Sequence, residues 1–148
     1  MKKRILTIIA LLAVAFIGWL VWLSQTDWLL QYNLENNARY ESLKQEGLTF
    51  GATADQQACL NQALNKVDGC LDFHCKVAAG KYLKACWSLA EPAADLCTDV
   101  PTFNEKPSED EKAWSKDQCA ISNIIGDGCP LIMRQTQVFC ATIQGERQ

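Results

Sequence analysis

The sequence predicts an all-α protein: an N-terminal transmembrane helix and a stalk helix, then two disulfide-stapled antiparallel helical hairpins forming a four-helix domain. An uncharged apolar run at residues 5–23, eight cysteines at spacings that suit facing helices, and repeated helix start and stop signals after residue 52 lead to this reading.

The chain opens Met1-Lys2-Lys3-Arg4 and continues ILTIIALLAVAFIGWLVWL, nineteen residues without charge in which Thr7 is the only hydroxyl. That length spans a bilayer as a helix. A removable signal peptide has a shorter apolar core before a small-residue site. Ala13-Val14-Ala15 offers such a site, but cutting there would leave the apolar stretch 16–23 as a new N-terminus. Residues 1–23 are therefore expected to remain as an uncleaved signal-anchor. Lys2, Lys3 and Arg4 favour the cytoplasmic side, which exports everything after Leu23. The expected location is a bacterial inner membrane, crossed once, with the C-terminal domain in the periplasm. Trp19, Trp22, Trp28 and Tyr32 suit the membrane–water interface, where amphipathic rings are enriched.

Residues 24–52 read as a juxtamembrane stalk helix and a break. The stretch 24–46 holds no Pro or Gly, Leu30, Leu34 and Ala38 recur at helical spacing, and Gly47 is a natural C-terminal cap. The first hairpin is placed at 53–91. Thr53-Ala54-Asp55-Gln56 has the form of a capping box, and Leu60, Ala63, Leu64 and Val67 share one helical face. Asp68-Gly69 marks a turn, Asp72 caps the next helix, and Pro92 discourages continuation beyond about Ala90. Residues 92–108 form an acidic, Pro-containing linker or lid. Between Glu91 and Glu111, seven acids face one base, Lys106. The second hairpin occupies 109–148. Ser108 and Glu111 form a second capping box, with Glu109 and Asp110 complementing the helix dipole. Trp114, Ile121, Ile124 and Ile125 make the inward face of its first helix. After Gly126-Asp127-Gly128, Pro130 opens the last helix, with Leu131, Ile132, Val138, Phe139 and Ile143 towards the core. Asp-Gly-Cys recurs at 68–70 and 127–129, at both bends.

Cys59, Cys70, Cys75 and Cys86 form a near-palindrome. Eleven residues make about three helical turns, so Cys59 shares a face with Cys70, and Cys75 with Cys86. Folding the two helices back about the 70–75 bend opposes Cys59 to Cys86 and Cys70 to Cys75. Bridged Cα atoms lie within about 7 Å, closer than the usual helix separation of about 8–10 Å. Ala63 and Ala79 thin that seam. This pattern resembles the twin Cys-x9-Cys helical hairpins of the mitochondrial intermembrane space, over residues 59–86 and with ten intervening residues in place of nine. The resemblance implies nested bridges and brings no catalytic residue. For the second set, Cys119–Cys140 with Cys97–Cys129 is the favoured pairing, and Cys97–Cys140 with Cys119–Cys129 its rival.

Chemistry is weighed on the same residues. Cys-x-x-Cys, needed for a thioredoxin-like or haem-attachment site, is absent. Paired thiols in an exported chain are read as staples, although Cys70, His74 and Cys75 form a local metal-like or redox-like cluster. No catalytic, cofactor or metal residue is assigned, and no enzyme activity is expected. His74 is read as a solvated or capping side chain, and Lys76, Lys81 and Lys84 as a solvated helix face. Without its first four residues the chain carries eleven basic against seventeen acidic side chains, which disfavours nucleic acid as a partner. Trp87 and Trp114 are expected in the core. Phe103 sits in the linker with little core to fill, and with Glu105 and Glu109 it is the candidate contact for another envelope or membrane protein. The expected role is a scaffold, assembly factor or accessory subunit. A soluble-side binding module, acting as an inhibitor, immunity or ligand-binding protein, is the alternative, and a thiol redox or metal protein the third reading.

Overall fold

A computed structural model describes the backbone of residues 2–146 and the side chains of residues 4–23 and 27–143. The sequence assignments to Met1 and to the side chains of Lys2, Lys3 and Ser24 lie outside the described residues. The protein is all-helical, with no strand among the described residues. Its helices are α1 (Lys2–Gly51), α2 (Gln56–Val67), α3 (Phe73–Trp87), α4 (Glu109–Ile121) and α5 (Gly128–Glu146). All eight cysteines are bridged. The chain divides into two compact units, Met1–Ala38 and Arg39–Gln148.

The first unit is helical and exposes its apolar side chains along the run 5–23. By length and composition it could cross a membrane or serve as a signal sequence. Trp28 and Tyr32 stack one helical turn apart, with ring centroids 5.4 Å apart.

The second unit begins with the last turns of α1. The helix continues through Gly47 to Gly51, past the break expected at 47–52. Gly47 and Gly51 are buried against α3. A Cβ on Gly47 would lie 2.5 Å from the carbonyl oxygen of Tyr82, and one on Gly51 would collide with that of Cys86. Two glycines four residues apart fall on one helical face, so they serve a close helix–helix approach and not a cap. Thr53, expected to open the next helix, instead donates its hydroxyl to Phe50 O. Asp55 takes over as N-cap of α2 through Ala58 N–H.

α2 and α3 pack on each other, and α5 packs on α2, α3 and α4. Cys59–Cys86 and Cys70–Cys75 are bridged as the palindrome predicts, each with Cα atoms 5.7 Å apart. Ala63 and Ala79 are buried in the seam. Asp72 caps α3 by accepting from Cys75 N–H at 2.8 Å. Backbone bonds Gln56 N to Glu91 O and Glu91 N to Ala54 O, at 2.9 and 3.0 Å, tie the start of α2 to the start of the linker. The core centres on Leu60, Leu64, Tyr82, Leu83, Ile132 and Met133.

In the second cysteine set the favoured pairing is corrected: Cys97 bonds Cys140, and Cys119 bonds Cys129. Cys119 and Cys129 flank a short bend, whereas Cys140 lies eleven residues beyond Cys129, about 16 Å along the helix. α4 stops at Ile121, four residues before the expected end, where Asn123 takes a left-handed φ of 54°. That conformation is tolerated by Asn. Ile121, the last residue of α4, and Ile125, beyond its end, are exposed, against the inward face assigned to them. On α5, Leu131 and Val138 are likewise exposed, and Met133, Thr136 and Gln137 are buried instead.

Candidate binding cleft walled by the acidic linker

The linker carries the chemistry that the sequence singled out, and two anchors fix it. The first is the Cys97–Cys140 bridge. The second is Glu111, buried in the first turn of α4, whose carboxylate accepts four hydrogen bonds. Ser108 N–H donates at 2.8 Å, Asn104 Nδ2 at 2.9 Å, Asn104 N–H at 3.1 Å and Arg134 Nη1 at 2.6 Å. The Ser108 N–H, followed by Asn104 and Arg134, holds the Glu111 carboxyl at about 2 against an ordinary 4.5. Hydrogen bonds to the ionised form favour it in this way. Arg134 also donates to the carbonyls of Asn104 and Glu105. Its guanidinium lies 4.1 Å from the centroid of the Phe103 ring.

The three candidate contact residues therefore have different fates. Phe103 is half-buried on Arg134. Glu105 is exposed and contributes its backbone carbonyl to the same arginine. Glu109 is exposed and pairs with Lys112 at 2.7 Å, which holds its carboxyl below the ordinary range. Only the capping box was legible beforehand. Arg134 is 23 residues from Glu111, and no spacing rule links them.

The preceding segment forms one wall of a cleft of about 640 Å³. α2 contributes Leu60 and Leu64, α4 Trp114 and Gln118, and α5 Met133 and Thr136; the linker supplies Pro92–Leu96, Asp99 and Val100. Asp55, Asp95 and Asp99 line it, and none of its described lining residues is basic. Trp114 thus faces a cleft, while Trp87 packs on Phe139 with centroids 5.0 Å apart. The lining is more polar than apolar, and its carboxylates and amides beside Leu60 and Trp114 suit a cationic group that also carries an apolar part.

No family model, curated protein or solved structure matches the chain.

The Cys70, His74 and Cys75 cluster is organised differently from a thiol site. Its two sulfurs are bonded to each other, and His74 Nδ1 meets the hydroxyl of Tyr40 at 2.5 Å. Among the described residues no group of three or more His, Cys, Asp or Glu side chains could hold a metal ion.

Proposed function

We propose that the chain is a membrane-anchored, exported interaction module, a scaffold, assembly factor or accessory subunit of a cell-envelope membrane complex. In this reading residues 5–23 cross the inner membrane once and two stapled hairpins form a four-helix periplasmic domain. The observation that carries the reading is the linker-walled cleft, whose acids have no basic counterpart in the lining. A basic segment of a partner protein fits it: its cation meets Asp55, Asp95 and Asp99 while its apolar part lies against Leu60 and Trp114. The paired thiols favour an oxidising compartment, and rigid bridging pre-organises the wall.

The test is purification of the full-length chain from its native membrane in mild detergent, alongside a variant carrying Asp95→Lys and Asp99→Lys. A membrane partner recovered stoichiometrically with the unaltered chain, and at least tenfold depleted with the variant, supports the reading. Equal recovery sinks it. The cleft volume also falls in the range of small-ligand pockets, about 300–1,000 Å³. A monomer retaining a small cation in native mass spectra would favour that second reading.

A further inference from the structure

The far side of α5 from the acidic cleft carries a second concavity of opposite charge. By helical angle Leu131 and Gln135 sit roughly 150° round α5 from Met133 and Thr136, and they face α3 across a groove of about 400 Å³. Its α3 wall is Phe73, Lys76, Val77, Gly80, Lys81 and Lys84, spaced three and four residues apart so that they form one helical face. Three of these side chains are basic, no acid lines the groove, and the lining is otherwise mostly apolar. The groove and the acidic cleft share no lining residue.

The groove is polarised along its length. At one end a Cβ on Gly128, the first residue of α5, would lie 3.4 Å from Lys76 Cγ; further on, Gln135 donates Nε2 to the Gly80 carbonyl at 3.1 Å. Leu131 and Ile132 therefore lie beside the stretch from Phe73 to Gly80, about 10 Å of α3. Lys76 belongs to this half, but Asp127 engages its ammonium at 2.5 Å and its side chain is only 10% exposed. It contributes methylenes to the lining more than charge. Lys81 and Lys84, at the other end, are exposed and enter no ion pair among the described residues. An apolar trough thus opens onto two uncompensated ammonium groups.

We infer that this groove binds a single-chain anionic amphiphile, with its alkyl chain along Phe73, Val77 and Leu131 and its carboxylate on Lys81 and Lys84. Charge complementarity selects the head, because ammonium–carboxylate contacts are among the stronger hydrogen bonds. The walls select the chain. Both are helices whose backbone donors and acceptors are satisfied internally, and the one side-chain amide in the lining, Gln135, already gives its Nε2 to Gly80. A peptide laid here would leave its own backbone groups short of partners, whereas an alkyl chain has none to satisfy. The volume also falls in the small-ligand range of about 300–1,000 Å³. The inference depends on neither the cleft nor residues 5–23.

The test uses the full-length chain in nanodiscs of neutral phospholipid, titrated with octanoate and followed by methyl NMR at Val77, Leu131 and Ile132. Leu89, exposed and outside the groove, is the control, and it separates groove binding from partition into the bilayer. Saturable shifts at the three groove residues and none at Leu89 are expected, with octanol and octylamine binding at least tenfold more weakly. Lys81→Glu with Lys84→Glu should weaken octanoate at least tenfold and make octylamine the better ligand. Equal binding of octanol and octanoate means apolar adsorption alone and overturns the inference, as does an octanoate affinity unchanged by charge reversal. On the unaltered chain, hexanoate should bind about tenfold more weakly than octanoate, since each buried methylene is worth about fourfold; equal affinity overturns the placement of the alkyl chain. Saturation by a Glu- and Leu-rich peptide, with none by octanoate, would assign the groove to a protein partner and overturn the amphiphile. None of these outcomes touches the reading of the cleft.

Discussion

The two cysteine sets staple their helices in the same way at the bend and in different ways at the open end. Cys70–Cys75 and Cys119–Cys129 each lock a short turn. At the other end Cys59–Cys86 closes α2 onto α3, whereas Cys140 on α5 reaches outside its own helix pair to Cys97 in the linker. One half of the unit is thus tied to itself, and the other half gives up self-closure to grip the linker that walls the cleft. A bridge in the first half stabilises a scaffold; the corresponding bridge in the second half also positions a candidate binding surface.

Removing the outer bridges should separate these roles. Closing the 97–140 loop, 43 residues in sequence separation, is worth about 4 kcal/mol in the chain-entropy model, and closing 59–86 about 3.5. Cys97→Ser with Cys140→Ser should therefore show the largest loss in denaturant midpoint, accompanied by faster amide exchange across 92–100. Cys59→Ser with Cys86→Ser should loosen α2 and α3 instead. Matching exchange patterns for the two variants would remove the distinction.

A second contrast concerns how α1 joins the self-tied half. Gly51→Ala places a methyl group against the Cys86 carbonyl. Overpacking of this kind costs about 1–3 kcal/mol, and backbone atoms can give way less than a side chain. Gly→Ala in an exposed helix should stabilise by up to about 1 kcal/mol, so the sign of the change in unfolding free energy decides whether this contact exists.

These positions also show what the sequence could reveal. The first cysteine set was legible because its two intervals are equal, and equal intervals on facing helices fix both partners at once. Cys140 was not, because its partner sits in a linker with no period. Gly47 carries the same letter whether it ends a helix or packs within one, and only the neighbouring Tyr82 and Cys86 backbone distinguishes the two. Ile121 and Ile125 satisfied the inward periodicity, but Ile121 is the exposed last residue of α4 and Ile125 lies beyond the helix end. Ser108 and Glu111 were readable as a local cap, while the arginine that makes Glu111 an anchor was not. The cleft draws on α2, the linker, α4 and α5, so no contiguous motif records it.

Phe103→Ala probes the linker's second anchor. Loss of the ring over Arg134 should cost about 0.5–1 kcal/mol, the scale of a partly exposed cation–π contact. The expected signature is a small drop in melting temperature with increased exchange at 101–106 and unchanged exchange in α2. A loss restricted to partner recovery, with no local loosening, would instead make Phe103 a direct contact.

The same anchor acts in full at neutral pH and is lost only in acid. Glu111 is held at about 2 in the folded protein against an ordinary 4.5, chiefly by the Ser108 N–H. Its folded value is depressed, so its stabilisation is fully present above 4.5 and is lost as pH falls from about 4.5 through 2. Protonation removes the charge that Ser108, Asn104 and Arg134 all address, and the linker loses its grip on α4 and α5. Asp72, held low by the Cys75 N–H, responds in the same direction at the start of α3, but two bridges keep α2 and α3 together there. Acid titration followed by amide exchange should therefore open 102–108 before α2 and α3, and Glu111→Gln should flatten the stability profile below pH 4.5. If both halves open together and the variant keeps the same slope, the linker is held by its disulfide alone and the carboxylate anchor contributes nothing to the cleft.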